Sequence, residues 1–213
     1  MTQASRHQCL IYDGPPSRQL PAIASVICER LKHNRRCLYL NSPPMVSGIK
    51  SYLAAQGIDV AYETEKGSLG LSSDQHHLVG DWTFDVDRMM EVLKRALDQA
   101  MSDGYEGLWA SGDMTWEFGR AKDLSKLLEY EWHLEDFLRT HPQMGGICQY
   151  HAETLPRDIL RKGLLAHSHL FVNQTLSMVN PHYLHNGPFV HAATADPQLD
   201  HAIDSHLNQQ SLN

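Results

Sequence analysis

The feature that most constrains the fold is the alternation of short apolar segments with longer segments of helical periodicity. Residues 9–12 and 37–41 each have the length and composition of a buried β-strand. The apolar residues between them recur at the spacing of one helix face: Ile23, Val26, Ile27 and Leu31. Strands that alternate with helices are joined by right-handed crossovers into a parallel sheet. The sequence therefore predicts a three-layer α/β fold, with a mainly parallel sheet and helices on both faces.

The same alternation continues along the chain. Further strands are predicted at 58–62, near 69–71, and at 107–112, 146–150, 170–173 and 177–179. Apolar stripes predict helices over 46–53, 86–101, 124–138 and 159–164, and Asp85 has the position of an N-cap. The polar tail carries Leu199, Ile203 and Leu207 at helical spacing and could form a short helix. We therefore expect one domain over residues 1–193, followed by a C-terminal tail over 194–213.

Composition excludes several classes of partner. The chain has 18 Lys and Arg against 25 Asp and Glu, a formal net charge of −7, which opposes binding to a phosphate backbone. No apolar run approaches the roughly 20 residues of a transmembrane helix, and the first eight residues are too polar for a secretory signal. The four cysteines lack the CxxC spacing and are predicted to be reduced thiols in the core. We expect a cytoplasmic protein with no direct contact to nucleic acid or membrane.

In an open parallel sheet, ligands bind beyond the carboxyl ends of the strands. Polar residues follow four predicted strands, at 12–15, 41–43, 111–116 and 149–151. The first of these loops is where a phosphate-binding loop would lie, but its sequence GPPSRQ (14–19) lacks the Lys-Ser/Thr pair of a Walker A motif. Its two prolines also remove backbone N–H donors. Arg18 could replace the missing lysine charge, so nucleotide binding stays open as an alternative.

Glu131 is the single residue that stands out as a candidate buried carboxylate, because its spacing from Leu124 and Leu127 places it on the apolar stripe of its helix. A buried carboxylate must be paired, and it is either a functional group or an edge residue with a structural partner. The histidine pairs have no ligand spacing of known specificity: His76 and His77, His167 and His169, His182 and His185. The sequence therefore predicts no metal, no cofactor and no catalytic residue.

Five short motifs occur in one order along the chain: HQCLIY at 7–12, SGDMTW at 111–116, EYE at 129–131, GICQY at 146–150, and His167. Together they resemble the MEDS domain, the methanogen/methylotroph DcmR sensory domain. The resemblance runs from about position 7 to position 184. It implies a RecA/KaiC-like P-loop fold whose phosphate-binding loop is degenerate. It also implies a cytoplasmic sensory module that detects small hydrocarbon derivatives.

The resemblance further implies which residues form the ligand pocket. Carried over position by position they are His7, Tyr12, Ser111, Asp113, Trp116, Tyr130, Glu131, Gln149, Tyr150 and His167. The strand-end argument adds Asp13 and Arg18 to this set.

Members of the family are often joined to DNA-binding or histidine-kinase domains. This sequence has no recognisable segment of either kind, so we expect it to signal through a regulatory protein partner, a kinase or a transcription factor. The expected function is that of a non-enzymatic sensor of a small ligand. A nucleotide-binding domain with weak or no ATPase activity, and a scaffold that binds its partner without a ligand, are the alternatives. A homodimer is left open.

Overall fold

A computed structural model describes residues 7–74, 78–79, 83–117, 124–184 and 196–211 of the chain. The strands are β1 (His7–Tyr12), β2 (Arg36–Leu40), β3 (Leu69–Ser72), β4 (Leu78–Val79), β5 (Thr83–Phe84), β6 (Leu108–Asp113), β7 (Met144–His151), β8 (His169–Asn173) and β9 (Leu176–Val179). The helices are α1 (Leu20–Lys32), α2 (Pro43–Ala55), α3 (Val60–Glu65), α4 (Val86–Ser102), α5 (Met114–Glu117), α6 (Leu127–Thr140), α7 (Arg157–Ala166) and α8 (Pro197–Ser211).

Seven strands form one sheet in the order β3-β2-β6-β7-β1-β8-β9. Every neighbouring pair is parallel except β8 and β9, which run antiparallel at the edge. Strands β4 and β5 form a separate antiparallel pair. The predicted α/β class with a mainly parallel sheet is confirmed.

The sheet separates two hydrophobic cores, because successive side chains of a strand point to opposite faces. Cys9 and Ile11 of β1 belong to the core that α4, α6, α7 and α8 cover. Leu10 and Tyr12 belong to the core that α1 and α2 cover. The arrangement is therefore three layers, as predicted, with helices on both faces of the sheet.

Asp85 and Asp59 begin helices α4 and α3, and the strand predicted at 58–62 is wrong. Asp85 caps α4 as expected, since its carboxylate accepts the Arg88 N–H at 2.8 Å. Residues 58–62 were expected to form a strand, but Val60–Glu65 is helix α3. Asp59 accepts the Tyr62 N–H at 3.0 Å, and this cap starts the helix. None of the α3 residues is buried, so the burial that favours an apolar segment as a strand inside the sheet is missing.

The C-terminal helix α8 packs against α7, β1 and β8. Its Leu199 and Ile203 side chains are buried in the core. Asp200 anchors the same helix from the side, because its carboxylate accepts hydrogen bonds from Arg157 at 2.9 Å and from Arg161 at 2.7 Å. The polar tail therefore contains a docked helix. None of the helices in the described ranges is both long and apolar enough to cross a membrane.

His206 makes the docking of α8 sensitive to pH. Its side chain is 2% exposed, and burial lowers the pKa of His206 from 6.5 to about 4. A histidine that is buried in its neutral form stabilises the protein above pH 6.5, and that contribution is lost as the pH falls from 6.5 towards 4. The full loss amounts to about 3 kcal/mol.

We therefore expect H206L to unfold with a flatter pH dependence than the wild type between pH 6.5 and 4. Urea unfolding at a series of pH values measures this difference. H33L is the control, because His33 is 64% exposed and its loss should leave the slope unchanged. Equal pH slopes for the wild type and H206L would contradict this assignment.

Candidate functional site

An open cleft of about 490 Å³ lies beyond the carboxyl ends of β1, β2, β6 and β7. This volume is within the range of small-molecule pockets. The cleft is lined by Tyr12, Pro16, Ser17, Asn41, Ser42, Pro44, Met45, Asp113, Thr115, Trp116, His151 and Thr154. The cleft is therefore where the strand-end argument places a ligand, with apolar walls and a few polar groups.

Asp113, the last residue of β6, is the acidic group of the cleft. One carboxylate oxygen accepts the Tyr12 hydroxyl at 3.2 Å, and the other accepts the Trp116 N–H at 2.9 Å. Burial raises the pKa of Asp113 above its usual value, although these hydrogen bonds and the nearby His151 oppose the rise. Asp113 thus orients Tyr12 and begins α5 at the same time.

His151, the last residue of β7, ties the β1–α1 loop to the cleft. Its Nε2–H donates to the Gly14 carbonyl at 2.8 Å, so Nδ1 accepts the Thr154 hydroxyl at 3.0 Å. The ring lies 5.0 Å from the Tyr12 ring, centroid to centroid. Both ring nitrogens of His151 are therefore engaged, and the two rings form one wall.

In the loop between β1 and α1, backbone N–H groups that could bind a ligand already donate to other groups of the protein. The prolines at positions 15 and 16 have no N–H group. The Gly14 N–H donates to Glu153 Oε1 at 3.1 Å, and the Arg18 N–H donates to the Pro15 carbonyl at 2.9 Å within a 3₁₀ turn. The Arg18 side chain is exposed, and Asp13 is half-buried.

Below the cleft, Ser111 and Gln149 form a buried polar link between β6 and β7. The Gln149 amide donates to Ser111 Oγ at 2.9 Å, and that hydroxyl donates to the Ile147 carbonyl at 3.0 Å. Both side chains are 1% exposed. They bridge two strands of the sheet and do not line the cleft.

A second polar group lies inside the domain around Glu131, on α6. This carboxylate has no solvent exposure. The Tyr150 hydroxyl donates to Oε1, while His7 Nε2 lies 3.2 Å and His167 Nε2 lies 3.5 Å from Oε2. The rings of His7 and His167 are 3.9 Å apart, centroid to centroid. We call Glu131, His7, Tyr150, His167 and Cys148 the buried cluster.

The charges of the buried cluster are strongly coupled. Burial alone would lower the pKa of His7, but hydrogen bonds to Glu131 and Glu135 raise it to about 9. Burial and the adjacent charge of His7 lower the pKa of His167 to about 4. Burial opposes ionisation of Glu131, yet His167, His7 and Tyr150 hold its pKa below the usual value. These shifts favour the charged form of His7 and the neutral form of His167.

The structure does not bring all predicted site residues into one pocket. In the cleft are Tyr12, Asp113 and Trp116, with Asp13 and Arg18 in the adjoining loop and Ser111 and Gln149 beneath it. In the buried cluster are His7, Glu131, Tyr150 and His167. Tyr130 packs edge-on against Phe84 in the core at 5.3 Å and lines an interior cavity beside His7 and Cys148 of the buried cluster. His76, His77 and His185 lie outside the described residues.

The pocket predicted from the sequence omitted several residues that the structure places at these sites. Asn41, Met45 and His151 line the cleft, and of these Asn41 and His151 lie in the polar strand-end segments 41–43 and 149–151 that the sequence had marked. Glu135 binds His7 Nδ1 at 2.8 Å, and Cys148 Sγ lies 3.6 Å from His7 Nε2. These last two residues also carried a local signal. Glu135 is four residues from Glu131 on α6, and Cys148 is two residues from Tyr150 on β7, so each shares a face with a predicted residue.

The fold and the motifs define a three-layer α/β domain, and comparison with known proteins identifies its family. Residues 6–168 match the family model described as "MEDS: MEthanogen/methylotroph, DcmR Sensory domain", and the chain belongs to this family. No curated protein matches the sequence.

Among solved structures, the fold is similar to that of the KaiC-like protein PH0186 from the hyperthermophilic archaeon Pyrococcus horikoshii OT3. The two share 12% identity with a TM-score of 0.53, over 78% of this chain and 70% of the other. This likeness confirms the predicted RecA/KaiC-like fold.

We expect Asp113→Ala to lower the free energy of unfolding by about 1–3 kcal/mol, because it removes a helix cap and leaves the buried Tyr12 hydroxyl without its acceptor. Chemical denaturation measures the change. Asp136→Ala is the control, since Asp136 is 68% exposed and its pair with Arg139 contributes less than about 1 kcal/mol. An equal, small loss for both variants would show that Asp113 does not hold the cleft together.

Proposed function

We propose that the protein is a non-enzymatic sensory domain that binds a small organic ligand in the strand-end cleft and signals to a regulatory protein partner. Membership of a sensory-domain family supports the sensory role. The observation that carries the ligand proposal is the mixed lining of the cleft. Aromatic and aliphatic walls come from Tyr12, Trp116 and Met45, and polar groups come from Asp113 and Asn41.

This lining favours a hydrocarbon derivative that carries one or two polar groups. The apolar walls favour the carbon skeleton, because burying apolar surface is favourable. A hydroxyl or amino group of the ligand would donate to the Asp113 carboxylate, whose oxygens face Tyr12 and Trp116 at the same end of the sheet. Small-molecule pockets commonly combine apolar walls with a few such orienting groups.

Nucleotide binding is the second candidate, and the RecA/KaiC-like fold favours it. The loop chemistry argues against it. Phosphates are usually held by free backbone N–H groups and a lysine. In the 14–19 loop, Gly14 and Arg18 already donate within the protein, and two prolines have nothing to donate. The carboxylate of Glu153 lies against the same loop and would repel a phosphate.

A sensor without catalysis agrees with how the polar groups of the cleft are used. A general acid or base needs an atom free to exchange a proton with the substrate. Both nitrogens of His151 are bound within the protein. The Asp113 carboxylate accepts from Tyr12 and Trp116, and its remaining lone pairs can accept a further hydrogen bond that orients a ligand. We therefore propose that the cleft binds and orients a ligand, and that the output is a change at the surface that a partner protein recognises.

The first test is thermal unfolding with Mg-ATP and with short alcohols, diols and halogenated alkanes. A ligand at 100 times its Kd adds about 2.7 kcal/mol, which raises the midpoint by roughly 5–11 °C for a domain of this size. We expect a saturable rise of this order with at least one small organic compound and none with Mg-ATP. A saturable rise with Mg-ATP alone would contradict the sensor proposal and support nucleotide binding.

The second test locates the site. For the compound with the largest shift, we expect Trp116→Ala to weaken binding about 10- to 100-fold, because an aromatic wall of the cleft is lost. Isothermal titration calorimetry measures the change in Kd. Trp132→Ala is the matched control, since Trp132 is half-buried on α6 and does not line the cleft. Unchanged binding in Trp116→Ala would place the ligand elsewhere.

A further inference from the structure

Four side chains of the buried cluster direct metal-binding atoms at one point. The four atoms are the Nε2 of His7, a carboxylate oxygen of Glu131, the Sγ of Cys148 and the Nε2 of His167. They come from β1, α6, β7 and the residue after α7. All four residues are buried, and the donor atoms all lie within 4.8 Å of one another. No other site described above uses these atoms.

Four of the six distances between the donors are close to those of a tetrahedral site, and the other two are at most 4.8 Å. Glu131 Oε2 lies 3.2 Å from His7 Nε2, 3.5 Å from His167 Nε2 and 3.7 Å from Cys148 Sγ. The sulfur lies 3.6 Å from His7 Nε2. In a tetrahedral zinc site with bonds of about 2.0–2.3 Å, neighbouring donor atoms are separated by about 3.3–3.8 Å. A single ion at the centre therefore fits without a large movement of the side chains.

Outer hydrogen bonds orient both histidines towards this centre. His7 Nδ1–H donates to Glu135 Oε2 at 2.8 Å, and His167 Nδ1–H donates to the Gly163 carbonyl at 2.7 Å. Each ring consequently presents Nε2 to the cluster. A metal-bound histidine almost always donates its other N–H to a carboxylate or a backbone carbonyl, which fixes its tautomer.

The carboxylates have matching outer contacts. The Tyr150 hydroxyl donates to Glu131 Oε1, which leaves Oε2 facing the three other donors. The Tyr183 hydroxyl donates to Glu135 Oε1 at 2.7 Å and holds the carboxylate that orients His7. Both histidines and Glu131 are thus fixed from outside the centre, as in a preformed metal site.

An independent observation comes from His167. Its Nε2 is buried and has no hydrogen-bond partner among the described residues, although buried polar atoms are nearly always satisfied. Because the Nδ1–H of His167 donates to the Gly163 carbonyl, Nε2 is the nitrogen that faces the cluster. It lies 3.5 Å from Oε2 of Glu131. A metal ion between these two atoms would give Nε2 the partner that it lacks.

We propose that the buried cluster is a structural zinc site, with His7, Glu131, Cys148 and His167 as ligands. Two imidazoles, a thiolate and a carboxylate suit zinc, whereas magnesium and calcium prefer oxygen ligands. The thiolate and the carboxylate together neutralise the charge of the ion. Four protein ligands leave no open position, so the ion joins β1, α6, β7 and the end of α7 and supplies no catalysis.

Binding of the ion changes the protonation of its ligands. Both histidines bind zinc as neutral imidazole through Nε2, and Cys148 binds as thiolate. Zinc binding therefore releases the thiol proton of Cys148, and any proton that a ligand histidine carries on Nε2, to solvent, so affinity falls in acid.

The first experiment measures metal content on the untagged full chain. After expression with zinc in the medium and gel filtration, we expect elemental analysis to find one zinc ion per chain. Cys148→Ser and His167→Ala should lose the ion. Cys28→Ser is the matched control, because Cys28 is a buried thiol of the opposite core and should leave the zinc content unchanged.

The second experiment identifies the ligand sulfur and does not depend on a variant that folds poorly. Wild-type protein unfolded with a chelator and refolded with Co²⁺ should show a thiolate-to-cobalt charge-transfer band in the near ultraviolet. Cys28→Ser should keep this band and Cys148→Ser should lose it. If the wild type retains no zinc and gives no such band, or if the band persists in Cys148→Ser, the proposal is overturned.

Zinc should also stabilise the wild-type fold. With free zinc at about 1,000 times its Kd, the unfolding midpoint should be roughly 8–16 °C higher than after chelation. An unchanged midpoint would contradict a structural ion. The zinc ligands do not line the strand-end cleft, so failure of this proposal leaves the ligand proposal standing.

Discussion

The structure depends on how the domain accommodates the carboxylate of Glu131, which has no solvent exposure. An isolated buried charge costs many kcal/mol, so it must be balanced inside the protein. Glu131 meets this requirement through Tyr150, His7 and His167, which bring α6 against β1, β7 and the end of α7. The second carboxylate, Glu135, extends the same contacts to Tyr183. These contacts thus join α6 to β1, β7 and the end of α7 through polar groups in the interior.

The buried cluster and the cleft are spatially separate, and β1 explains why. His7 begins this strand and Tyr12 ends it, so their backbones are roughly 16 Å apart at the usual rise of a β-strand. The side chains of β7 alternate between the two faces of the sheet, so Cys148 and Tyr150 belong to one core and Ile147 to the other. Motifs that are contiguous in sequence therefore supply residues to two places. In our account the buried cluster holds the domain together, and the cleft is open to a ligand.

Much of the fold was predictable, because buried strands and amphipathic helices leave local patterns; α3 was not, since Asp59 starts a helix where apolar residues suggested a strand. The cleft was predictable as a region because strand ends meet at one edge. The buried cluster was only partly predictable from the sequence. Spacing marked Glu131 as a buried carboxylate, but its partners come from β1, β7 and the residue after α7. Histidine spacing alone predicted no metal, because the two histidines of the cluster are 160 positions apart in sequence.

The central claim is that the buried cluster holds a zinc ion and that the cleft is a separate site for a ligand. The most direct test is a crystal structure with diffraction data on both sides of the zinc absorption edge. We predict an anomalous peak among His7, Glu131, Cys148 and His167, and none beside Asp113 in the cleft. A direct hydrogen bond from His7 to Glu131 with no peak in the cluster, or a peak at Asp113, would contradict the account.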